Sequence, residues 1–118
     1  MKPSINTVDQ LVGEQISAIA FVLDYVEFHF SGPVLRSLSH PSVASNTSRM
    51  CFPEPGSRDA LCCVIGSTVQ SVKLDEKVAL ELTTSNDLRI TIPLDSRSRR
   101  GPEAMHFIPE VNKPIQVW

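Results

Sequence analysis

The sequence predicts an α+β chain, mostly antiparallel β, in which two related β-meander halves, with one short helix between them at about residues 57–65, form a twisted sheet or partly open barrel. Two observations carry that reading. Apolar and polar residues alternate with a period of two over several short runs separated by turn-forming residues, which is the mark of half-buried strands. An irregular apolar pattern also occurs twice.

The first copy runs Leu11-Val12-Gly13, Ile16, Ile19, Phe21, Asp24, Val26, Phe28 and Phe30. The second runs Val64-Ile65-Gly66, Val69, Val72, Leu74, Asp75, Val78, Leu80 and Leu82. The offset is 53 residues up to Leu74 and 52 from Val26 onward, so the second turn is read as one residue shorter. Each copy is a helical end closed by glycine, then two strands about a tight turn; glycine suits the left-handed position after a helix. The three-residue steps Ile16–Ile19 and Val69–Val72 break the strand period, so a bulge is expected in both copies.

The elements follow in order. Val8–Val12 makes at most a turn of helix. Strands are expected at about Gln15–Leu23, Tyr25–Phe30 and Val34–Leu38, joined through Asp24-Tyr25 and Ser31-Gly32-Pro33. Residues 39–56, with Pro41, Pro53, Pro55 and many Ser and Asn, read as a long loop. A helix from Ser57, its expected N-cap, to Ile65 has Asp59 near its positive end. Three further strands are placed at Thr68–Leu74, Val78–Thr83 and Leu88–Ile92. Residues 94–118 hold a loop and a last short strand, Ile115–Trp118. The repeat spans about 8–38 and 61–92, and 1–118 is read as one domain.

The strands differ in their second faces. Val26, Phe28 and Phe30 oppose Glu27 and His29, and Leu88, Ile90 and Ile92 oppose Arg89 and Thr91, as in sheets with one wet face. In the first strand Ile19, Phe21 and Leu23 oppose Ala18, Ala20 and Val22, which are apolar too. That second face calls for cover by the helix or by a second copy of the chain. Burying one Val and two Ala there contributes about 2–3 kcal/mol.

Composition excludes several classes. The 118 residues carry 11 basic and 13 acidic side chains, a net charge of −2, which leaves no overall electrostatic footprint for nucleic acid. No run approaches the length of a membrane helix, and Met1–Asn6 leads into no apolar signal core. Cys51, Cys62 and Cys63 are odd in number and lack the paired spacing of zinc ligands, so free thiols in a reducing cytoplasm are expected, with no metal and no cofactor. One of the adjacent cysteines is expected to pack inward.

Chemistry concentrates in one stretch, Ser96 to Phe107. Arg97, Arg99, Arg100, Glu103 and His106 surround a Gly-Pro turn, and guanidinium forks suit carboxylates or phosphates. Two readings stand: an anion pocket, or a solvated loop whose arginines pair with nearby acids. Glu103 and His106 share a face only if this stretch is helical. There is no phosphate-cradling glycine loop and no Gly-x-Ser-x-Gly elbow.

Leu11-Val12-Gly13, the Phe-x-x-Asp-Tyr-Val-x-x-x-Phe hairpin from Phe21 to Phe30, and Arg100-Gly101-Pro102-Glu103-Ala104 before Val117-Trp118 together resemble small β-rich, single-domain bacterial proteins of unknown function. Some of these end in a similar Gly-Pro-Glu-Ala and tryptophan segment. The resemblance covers most of the chain outside residues 39–56. It implies a compact cytosolic module and transfers no activity. The expected role is a small non-catalytic binding or interaction protein, homodimeric through Ala18, Ala20 and Val22. The alternative is a binding module or enzyme for an anionic small molecule that uses the Arg97–His106 loop.

Overall fold

The computed structural model describes residues 7–109 and 113–118; Met1–Asn6, the stretch expected to lead into no apolar signal core, lies outside the described residues. A single 3-10 turn, Thr7–Leu11, precedes β1 (Ala18–Val22), β2 (Tyr25–His29) and β3 (Val34–Ser37). Then come β4 (Ser42–Ala44), β5 (Arg49–Cys51) and the helix α1 (Ser57–Cys62). The chain finishes with β6 (Val69–Asp75), β7 (Ala79–Thr84), β8 (Arg89–Pro93), β9 (Met105–Ile108) and β10 (Gln116–Val117). The strands make two five-stranded sheets ordered β1-β2-β3-β9-β10 and β5-β4-β8-β7-β6. Every pairing is antiparallel. Each sheet retains two edge strands, so the architecture is a pair of open sheets and the partly open barrel is not realised.

Both meanders are present, β1-β2-β3 and β6-β7-β8, and each is completed by the other's trailing hairpin. The β4–β5 hairpin follows β3 in the chain but pairs with β8, while β9–β10 follows β8 but pairs with β3. The meanders meet at a short crossing. Gly13 N–H donates to Val69 O and Gly66 N–H to Ile16 O; Ile16 N–H donates to Ser67 O and Val69 N–H to Glu14 O. Adding 53 to the residue numbers of one bond of each pair gives its partner. Both glycines have positive φ, 91° and 92°, where a side chain would be strained.

Register corrects the reading of the second turn. Phe21 pairs with Val26 and Ile19 with Phe28, whereas Leu74 pairs with Leu80 and Val72 with Leu82. Leu80 therefore takes the place of Val26. The second connection is one residue longer than the first, and Val78 sits in it, 58% exposed. The irregular step is real in the second meander, where the register shifts between Val69 and Ser71. In the first, His29 pairs with Ala18 while its carbonyl also accepts from Ser17 N–H.

Inward residues of both sheets make one core, including Val26, Phe28, Leu35, Leu80, Leu82, Ile90, Ile92 and Phe107, closed at the crossing by Leu11, Ile16, Leu61 and Val64. Full burial of each such side chain contributes about 1.5–3 kcal/mol.

Three local expectations change. Residues 39–56 contain β4 and β5, and 94–118 contain β9, because segments of three or four residues are too short to show a period. The helix stops at Cys62: Cys63, Val64 and Ile65 donate to residues three back, tightening the last turn. Its N-cap is Gly56, at φ 87°, and Ser57 is the first helical residue, with a buried, unpaired hydroxyl.

Candidate functional site

Pairing of β2, β3 and β9 brings outward side chains into one cross-strand row. Ala20 lies opposite Glu27, Glu27 opposite Arg36, Arg36 opposite His106, and His106 opposite Val117. Side chains directly opposite in a sheet are near neighbours, so the row forms a hydrogen-bonded chain. His29 Nε2 meets Glu27 Oε1 at 3.1 Å, and Arg36 Nε donates to Glu27 Oε2 at 2.8 Å. Arg36 NH1 meets His106 Nδ1 at 3.1 Å, and His106 Nε2 meets Glu103 Oε1 at 2.6 Å. The Arg36 guanidinium also lies 5.7 Å from the centre of the Tyr25 ring.

The partners fix the state of His106. A guanidinium only donates, so Nδ1 facing it is the acceptor, and the ring proton sits on Nε2 and donates to Glu103. His106 thus links a cation to an anion through its two ring nitrogens. For Glu27, burial raises the pKa, but hydrogen bonds and charge from Arg36 and His29 outweigh it and hold the carboxyl below its ordinary range.

Glu103 and His106 therefore meet without a helix, because β9 carries one and the preceding loop the other. Two of the three arginines of that loop are spent on the fold. Arg99 donates to the carbonyls of Leu94 and Pro102. Arg100 donates to Asp24 O at 2.7 Å and Asp24 Oδ2 at 3.0 Å. Arg97 is exposed and makes no side-chain hydrogen bond or ion pair among the described residues. Sequence reasoning did not connect Glu27, His29 and Arg36 to this loop. Their outward phase in β2 and β3 was legible, but their adjacency to His106 depends on β9, 70 residues beyond Arg36.

Ala18 and Val22 are exposed and Ala20 is half-buried. Helix α1 covers the opposite side of β1: Arg58 lies 5.9 Å from the Phe21 ring and 5.0 Å from Phe52, and the two rings stack. His40 meets Phe52 edge-on. Cys62 and Cys63 are both exposed, so neither packs inward as expected. Cys63 is at the tightened end of the helix, and its thiol meets Asp59 O at 3.5 Å.

Among the described residues, no group of three or more His, Cys, Asp or Glu side chains is arranged to hold a metal ion, and no helix is long and apolar enough to cross a membrane. Among the described residues, the ring contacts of His29 and His106 are to Glu27, Arg36 and Glu103, with no hydroxyl or thiol side chain hydrogen-bonded to either ring. The row presents a polar strip in which His29, Glu27, Arg36, His106 and Glu103 are joined in sequence by hydrogen bonds. Comparison with protein-family models, with curated proteins and with solved structures finds no match.

Proposed function

We propose that this chain is a small non-catalytic interaction protein of the cytosol that works as a homodimer through the outer face of the β1-β2-β3-β9-β10 sheet. The observation that carries the reading is a comparison of the two sheets. Ala18, Ala20 and Val22 on β1 correspond, by the offset of 53, to Ser71, Lys73 and Asp75 on β6. The same fold thus has a polar outer edge on one sheet and an apolar one on the other. Val34, Ile108 and Val117 extend the apolar character across the first sheet. Exposed apolar area of that kind marks contact surfaces.

The Glu27–Arg36 pair in the middle of the strip is hydrogen-bonded on both sides, which offsets part of the cost of taking its charges out of water. Such a surface offers little net charge to recruit an oppositely charged partner. A second copy is the occupant it matches, and two-fold pairs are the commonest soluble assembly. Three unpaired cysteines agree with a reducing compartment.

Light scattering over a range of protein concentrations tests the proposal. The wild-type chain is expected to be a dimer. Ala20→Asp, with its charge on the contact face, is expected to be a folded monomer with an unchanged circular dichroism spectrum. A wild-type chain that is monomeric at every concentration overturns the dimer.

A further inference from the structure

The Arg-rich loop and the tip of the β1–β2 hairpin enclose an open cleft of about 200 Å³ whose walls include Asp24, Tyr25, Leu38, Arg100, Pro102 and Glu103. We propose that this cleft binds a small organic cation, a guanidinium or primary ammonium ion. The sequence of the loop suggests the opposite sign. The structure reverses it through the way the charges are used.

Arg100 does not offer its guanidinium to a ligand. NH1 donates to the Asp24 carbonyl at 2.7 Å and lies 3.5 Å from the Leu38 carbonyl, while NH2 donates to Asp24 Oδ2 at 3.0 Å. That pairing ties the hairpin tip to the loop and neutralises one carboxylate. The second carboxylate is left over. Glu103 meets His106 Nε2, while the ring's other nitrogen faces the Arg36 guanidinium, so Glu103 is oriented by a ring already engaged on its far side, and no Lys or Arg pairs with it among the described residues. Glu103 is also about half exposed, and its Oε2 has no hydrogen-bond partner among the described residues.

Tyr25 supplies the third element. Its hydroxyl has no hydrogen-bond partner among the described residues, and the residue lines the cleft. The Arg36 guanidinium already lies 5.7 Å from the centre of that ring, so what Tyr25 adds for an incoming cation is its hydroxyl, a second acceptor beside the Glu103 carboxylate. The volume lies below that of drug-sized pockets, which limits the ligand to a few heavy atoms. All the walls come from one chain, so the site does not depend on the proposed dimer.

The test is a titration of the isotope-labelled full chain by amide NMR at constant ionic strength, with methylguanidinium, n-butylammonium and inorganic phosphate as separate probes. Saturable shifts confined to Tyr25, Gly101, Glu103 and their neighbours are expected with the cations and not with phosphate. Glu103→Gln keeps an acceptor for His106 and removes the charge, so it is expected to weaken cation binding roughly tenfold. Glu81→Gln on the other sheet is expected to leave it unchanged. Saturable binding of phosphate at these residues, no response to either cation, or an unaltered affinity in Glu103→Gln would each overturn the proposal.

Discussion

Glu27→Gln is the sharpest probe of the polar strip, because it keeps the side chain's shape and removes only its charge. The Glu27 carboxylate is 15% exposed and the Arg36 side chain 28%, so water replaces their contact poorly. Hydrogen bonds to charged groups contribute about 1.5–3 kcal/mol, and discounting the more exposed His29 end gives an expected loss of about 2 kcal/mol at neutral pH. With unfolding entropy of about 2.1 cal/mol/K per residue, that lowers the melting temperature of this chain by about 8 °C. The pH dependence follows from the depressed carboxyl. The unfolded chain takes up the proton near the ordinary value of 4.5 and the folded chain only at lower pH. The stabilisation is therefore complete above that value and is lost as pH falls through the folded one. Urea unfolding of both chains at pH 7 and pH 3 measures the difference. A gap below about 0.5 kcal/mol at pH 7 would refute the role of the strip in stability, being no more than an ordinary surface substitution gives. A gap that persists undiminished at pH 3 would refute its electrostatic origin.

Other substitutions test the register and the exposed groups. Leu80→Ala empties a fully buried position and is expected to cost about 3 kcal/mol by urea unfolding, against less than about 0.5 for Val78→Ser in the turn; the reverse order would put Val78 in the core. Burial, and then the charge of Arg100, hold His40 below its ordinary value of 6.5 despite Asp24. Stability is thus expected to fall as pH drops below that value, because the unfolded chain gains a proton there that the folded chain refuses, and His40→Gln should flatten the slope. In the native state a thiol reagent is expected to label Cys62 and Cys63 quickly and Cys51 more slowly; a single fast thiol would mean that one of the adjacent pair packs inward.

The strands with a clear period of two were legible, and so was which of their faces turns inward: Val26, Phe28, Ile90 and Ile92 are buried as the alternation requires. The register beyond the second turn was not. Val78, Leu80 and Leu82 are apolar and alternate, so moving the pattern by two residues leaves it unchanged, and only pairing with Leu74 tells the positions apart. The candidate site was half legible. Glu103 and His106 stood out by residue type, and pairing of the loop's arginines with nearby acids was one of two readings, but the acceptors of Arg99 and Arg100 could not be named, because they are Asp24, 76 residues away, and backbone carbonyls, which carry no mark in sequence.

What the chain's residues determine locally is therefore the alternation that makes a strand, the glycines at Gly13 and Gly66 that permit a left-handed backbone, and the apolar second face of β1. These depend on neighbours a few positions away and on the steric limits of single residues. The exchange of trailing hairpins between the two meanders, the row from His29 to Glu103 and the sign of the charge left in the cleft were decided by tertiary structure. Each depends on which distant strand lies alongside, and with strands as short as β4 and β9 that choice is made by burial of the whole core rather than by any signal within the strand.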